Sequence, residues 1–108
     1  MIVGFIQEDS KYIDVEAQKA SLDRYAKMHR IRNMRLISLK QGEDICAQSL
    51  DACDTLVISN ISLLGNTFEN ILDKIECLAE QKIYIYSVKE DLLMNLCNQT
   101  SVVECVHA

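Results

Sequence analysis

Apolar and polar positions follow two rhythms along this chain. Residues 1–7 (Met-Ile-Val-Gly-Phe-Ile-Gln) are a nearly continuous apolar run with β-branched members, the pattern of a strand buried on both faces. Residues 14–29 then place Val15, Leu22, Tyr25 and Ala26 on one helical face. Residues 34–39 alternate weakly and predict a second strand, and 41–52 are polar and short enough for one or two helical turns. Residues 55–59 predict another buried strand. From 66 to 81, Phe68, Ile71, Leu72, Ile75, Leu78 and Ala79 recur at three- and four-residue steps. That spacing predicts an amphipathic helix, with Asn66 as its cap and Glu69 as the capping-box partner. Residues 82–88 predict a strand with Ile83 and Ile85 on one face and Tyr84 and Tyr86 on the other. Residues 90–97 predict a final helix and 102–106 a short edge strand.

Strands separated by helices imply βαβ crossovers, hence an α/β fold. The expected sheet is mostly parallel, of four to five strands, with helices on both faces. Sites in such folds lie beyond the carboxyl ends of the strands. Residues 7–10, 59–66 and 87–91 are therefore the rim on which chemistry is expected.

Composition narrows the class. The 108 residues suffice for one domain and one core, and 49% hydrophobic with 25% charged residues excludes a disordered chain. The longest apolar runs, 56–58 and 83–86, fall far short of a membrane span. No secretory leader precedes the first strand, so a cytoplasmic location is expected. Five cysteines leave one unpaired under any disulfide scheme, and none forms a CxxC pair, which favours a reducing compartment. Cys97, Cys105 and His107 match no zinc spacing, so neither a metal nor a cofactor is expected.

The formal charge of −5 is unevenly spread. Lys19, Arg24, Lys27, Arg30, Arg32 and Arg35 crowd into one short stretch, whereas beyond it only Lys40, Lys74, Lys82 and Lys89 face eleven acidic residues. Arg24, Lys27, Arg30, Arg32 and Arg35 form at most a local nucleic-acid patch, because phosphate binding normally needs a dominant positive field. The plainer reading is a solvated helix end whose cations favour the negative pole.

Two segments carry a family resemblance. "GFIQEDS", followed by Ala17-Gln18 and "LDRYA", and the later run "DTLVISNISLLGNTFENILDKIECLAEQKIYIYSV" resemble the catalytic domain of the serine recombinases, the resolvase and DNA-invertase family. The likeness runs from Met1 to about Glu90, and Leu64-Gly65-Asn66-Thr67 is among its most specific parts. It implies a three-layer resolvase-like domain. In that family a serine just past the first strand attacks a DNA phosphate, and arginines stabilise the charge that develops.

Carried over residue by residue, the nucleophile position holds Asp9 and the first-strand arginine position holds Gln7. The family's Asp-Arg-Leu-Gly-Arg loop appears as Ser62-Leu63-Leu64-Gly65-Asn66. The arginine expected after the second strand has no counterpart in 40–52, and only Gln18 of the first helix still matches. Ser10 is the available substitute nucleophile. Glu8 and Asp9 would repel a docking phosphate by several kcal/mol at low dielectric. The resemblance thus implies a domain that has lost catalysis and acts by dimerisation or regulation, as a homo-oligomer or beside an intact recombinase. DNA would be bound only indirectly or weakly, and residues 95–108 are too few for both the family's long helix and its helix-turn-helix. Two other readings compete: an active recombinase using Ser10, and a receiver-like magnesium or phosphorylation domain built on Glu8, Asp9, Ser87 and Lys89, with Asn60 where an aspartate would accept phosphate.

Overall fold

Alternation along the first strand decides the architecture. In β1 (Ile2–Gln7) Val3 and Phe5 enter one hydrophobic layer and Ile6 enters another. The computed structural model describes residues 1–11, 13–40, 43–48, 50, 53–94 and 103–104. The other strands are β2 (Arg35–Leu39), β3 (Thr55–Ile58), β4 (Tyr84–Ser87), β5 (Leu92–Met94) and β6 (Val103–Glu104). They form one sheet in the order β2-β1-β3-β4-β5-β6. The first four in that order pair in parallel, β5 runs antiparallel to β4, and β6 runs antiparallel to β5.

The two helices cover opposite faces. α1 (Val15–Met28) brings Leu22 and Tyr25 onto Ile6 and Val57. α2 (Phe68–Glu80) brings Ile75 and Leu78 onto a larger layer with Val3, Phe5, Leu56, Ile58 and Ile85. The expected three-layer α/β arrangement is therefore present. Gly4 faces α1, where a Cβ would come within 3.1 Å of Leu22 and 2.7 Å of the end of Leu36. Its lack of a side chain lets that helix approach the sheet.

Both helices have legible ends. The Asp14 carboxylate accepts the Ala17 N–H at 2.7 Å and starts α1, with Glu16 in the first turn and Lys27 in the last. Each helix then closes in the same way. The Ile31 N–H reaches the Ala26 carbonyl at 2.8 Å, with Arg30 left-handed at φ 56. The Ile83 N–H reaches the Leu78 carbonyl at 2.9 Å, with Lys82 at φ 63. These are Schellman closures with charged residues where glycine is usual.

Three expectations change. The cap of α2 is Thr67, whose hydroxyl accepts the Asn70 N–H at 3.1 Å, and Asn66 lies one residue outside, exposed. Residues 90–94 of the expected helix do not form one, because Asp91 takes a left-handed turn at φ 53 and sends Leu92–Met94 back along β4, and residues 95–97 lie outside the described residues. The Tyr86 hydroxyl donates to Asp91 and braces that turn. The sheet accordingly has six strands among the described residues, with β2, β1, β3 and β4 paired in parallel and β5 and β6 joined by antiparallel pairs. Of the predicted edge strand, Val103–Glu104 is present as β6, while Cys97, Cys105 and His107 lie outside the described residues.

Candidate functional site

Strand order reverses between β1 and β3, where β1 has β2 on one side and β3 on the other. Open parallel sheets place their ligand crevice at the carboxyl ends flanking such a reversal. Here that position is bounded by the turn after Gln7 and the loop after Ile58.

Gln18 fixes the first wall. Its side chain is fully buried and pairs with both backbone groups of Gln7. The Gln7 N–H donates to Oε1 at 2.8 Å, and Nε2 donates to the Gln7 carbonyl at 2.9 Å and to the Ile13 carbonyl at 3.0 Å. A helix side chain thus acts as one more rung of sheet pairing, and no polar atom of the amide is left over. The one polar residue that matches the resemblance is a positioning residue. Beyond Gln7 the Glu8 N–H still bonds the Leu39 carbonyl at 2.8 Å, and the Glu8 and Asp9 side chains are exposed. The Ser10 hydroxyl accepts the Ile13 N–H at 3.3 Å and so shapes the turn into α1.

The second wall is locally satisfied too. The Ser59 hydroxyl donates to Asn60 Oδ1 at 2.8 Å, and Asn60 Nδ2 donates to the Ser62 hydroxyl. A 3-10 turn, Ile61–Leu64, follows, and it buries Leu63 and Leu64 to 7% and 5% exposure in the α2 layer. Gly65 then crosses the first turn of α2 so closely that a Cβ would lie 2.7 Å from the Asn70 Cβ.

Glu90 joins these loops. One carboxylate oxygen accepts both the Ser87 hydroxyl and the Ile61 N–H, the latter at 3.1 Å. The Val88 and Lys89 N–H groups bond the Ile58 and Ser59 carbonyls at 2.9 Å. This bridge was missed at the sequence level, and its only signal is the Ser-x-x-Glu spacing of 87–90.

Between the walls lies a pocket of about 30 Å³ lined by Phe5, Gln7, Glu43, Ile45, Leu63, Leu64 and Lys74. That is room for a water molecule or two, roughly a tenth of what a ligand cleft offers. Gln7 and Leu63, two of the positions where the resemblance expects arginine, meet around it. Asp9, Ser10, Ser62 and Asn66 do not line it. Its one lining cation, Lys74, pairs with Asp44 at 2.5 Å. The hydrogen bond from Lys74, then that from the Cys46 N–H, holds the Asp44 carboxyl below its usual range.

The basic stretch is elsewhere. α1 runs back against the strands, so its last turn and the connection to β2 lie at the amino ends of the sheet. Arg24 and Lys27 are exposed on that helix, with Lys27 paired to Asp23 at 3.0 Å. Arg30 and Arg32 follow it, and Arg35 opens β2 level with Val3. Four strand residues, about 13 Å, separate Arg35 from the level of Gln7, and no arginine is among the described residues that line the pocket. Glu8 and Asp9 likewise gather no metal cage: among the described residues no three His, Cys, Asp or Glu side chains come together to hold an ion.

No protein-family model matches the sequence, and no curated protein matches it. The fold does match a solved structure, the N-terminal catalytic domain of TP901-1 integrase. The TM-score is 0.62 at 15% identity, over 85% of this chain and 79% of that one. The two share the α/β architecture, a mostly parallel sheet with helices. No helix among the described residues is long and apolar enough to cross a membrane.

Proposed function

We propose that this chain is a serine-recombinase-like domain that does not exchange DNA strands and works by contact with other proteins. The fold is that of an integrase catalytic domain, while the rim lacks what phosphoryl transfer requires. The observation that carries the reading is Leu63. Where the resemblance puts a guanidinium, an apolar side chain is buried in the core beside Gln7. A phosphodiester in transfer needs positioned cations worth several kcal/mol, and the single lysine at the pocket is paired with Asp44. Ser10 is a weak substitute, because its hydroxyl serves the turn into α1.

The partner is a second copy of the chain or an intact recombinase, in the cytoplasm, with DNA reached only through that partner. Sedimentation velocity over a concentration series, alone and mixed with an active recombinase catalytic domain, tests this reading. Association in either sample is the expected result. A strict monomer that ignores the recombinase would overturn it.

A further inference from the structure

Polar pairs hold the segment around the 3-10 turn Ile45–Ala47 against one face of α2. Lys74 reaches Asp44, and Gln81 Nε2 donates to the Cys46 carbonyl at 3.4 Å. Lys74 and Gln81 stand two helical turns apart, and Cys77 falls on the same face between them. There Cys77 lies beside Cys46 and is one of the groups that push its thiol's pKa up. Both thiols are reduced and partly buried. The same segment supplies Glu43 and Ile45 to the pocket wall, and α2 supplies Lys74.

We propose that Cys46 and Cys77 close a reversible disulfide that latches this segment to α2 and fixes one wall of the pocket. Two neighbouring thiols, on elements far apart in sequence and already held together by flanking pairs, are placed to join. The oxidant is a low-molecular-weight disulfide. The Cys77 thiolate attacks one of its sulfurs, the small S–S bond breaks, and one thiol leaves. Cys46 then gives its proton to solvent and attacks Cys77 Sγ, and the second thiol leaves as that bond forms. Two protein thiols are oxidised, and one small disulfide is reduced to two thiols.

Burial first, then the neighbouring Cys77 thiol, pushes the Cys46 thiol up to about 12. Cys53 is a poor competitor, since it is buried at 7% exposure and its thiol donates to the Thr55 carbonyl. In a reducing compartment such a bond is transient, which suits a sensor better than a structural brace.

The full reduced chain is treated with oxidised glutathione, alkylated, digested with trypsin and mapped by mass spectrometry. The expected result is loss of two alkylatable thiols and a cross-link between peptides 41–74 and 75–82 that fragments to Cys46–Cys77. Amide exchange across 43–48 slows in the oxidised protein, and a dithiol reverses both changes. The cross-link survives Cys53→Ser and disappears in Cys46→Ser. A persistent glutathione adduct on Cys77 with no internal bond, a cross-link to a different cysteine, or unchanged thiols would each overturn the proposal.

Discussion

The two ends of the parallel sheet are built for opposite company. At the carboxyl end stand Glu8, Asp9, Glu43, Asp44, Glu90 and Asp91, and the loops spend their polar atoms on one another. At or toward the amino end stand all four arginines, Arg24, Arg30, Arg32 and Arg35, in the second half of α1 and just beyond it. Phosphoryl transfer on this scaffold would need those guanidiniums at the other end. A fold and its chemistry are specified separately. Buried alternation keeps the sheet and both helices in place, and single residues at the strand ends decide whether an anion is welcome.

The strongest way to break the comparison is to attack what both ends share. Leu56→Ala empties a fully buried position between β1 and β4 and should cost about 3 kcal/mol in urea denaturation. A cost below 1 kcal/mol would mean that the layered core is packed otherwise. Next comes the joint between core and rim. Gln18→Leu keeps the bulk but strands both backbone groups of Gln7 and the Ile13 carbonyl, for about 2 kcal/mol. Ser10→Ala, on the rim itself, should lose well under half as much.

Smaller effects sharpen the picture at the loop after β3. Thr67→Ala removes a cap and should cost about 1 kcal/mol, while Asn66→Ala should leave stability unchanged. The reverse ranking would restore Asn66 as the start of the helix. Smallest is the Asp44–Lys74 pair at the pocket, a half-exposed contact worth under about 1 kcal/mol. Because the folded state lowers the Asp44 pKa below 3.8, its contribution is complete above about pH 4 and fades as the pH falls through the lowered value. Acid unfolding curves of Lys74→Ala should therefore lack that low-pH component, and curves identical to the unsubstituted protein would remove the pair from the account.

Much of this was legible in the sequence, for identifiable reasons. β1, β3, β4, α1 and α2 follow from apolar periodicity, because two covered faces leave few polar choices in the strands. β5 was not legible. Leu92, Leu93, Met94 and Leu96 suit a helix as well as a strand, and a single left-handed residue, Asp91, decides between them. The Asn66-Thr67 pair offers two good caps in succession, and only the backbone shows which one turns. Gln18 stood out through the resemblance, yet its work as a staple on Gln7 depends on the packing of α1 over β1. The basic stretch was obvious as a cluster, but its distance from the site follows from the return direction of α1, a topological fact that no local pattern carries.

One measurement bears most directly on the proposal that the carboxyl end holds no phosphate. Inorganic phosphate is titrated into the labelled protein while the backbone amide resonances of residues 7–10 and 60–67 are followed. The proposal predicts no saturable shift at these positions, because Gln7 and the buried Leu63 stand where the resemblance puts two guanidiniums and the exposed Glu8 and Asp9 would repel an anion. A saturable shift centred on Gln7, Ser10 and Ser62 would contradict it and return the domain to the candidates for phosphoryl transfer.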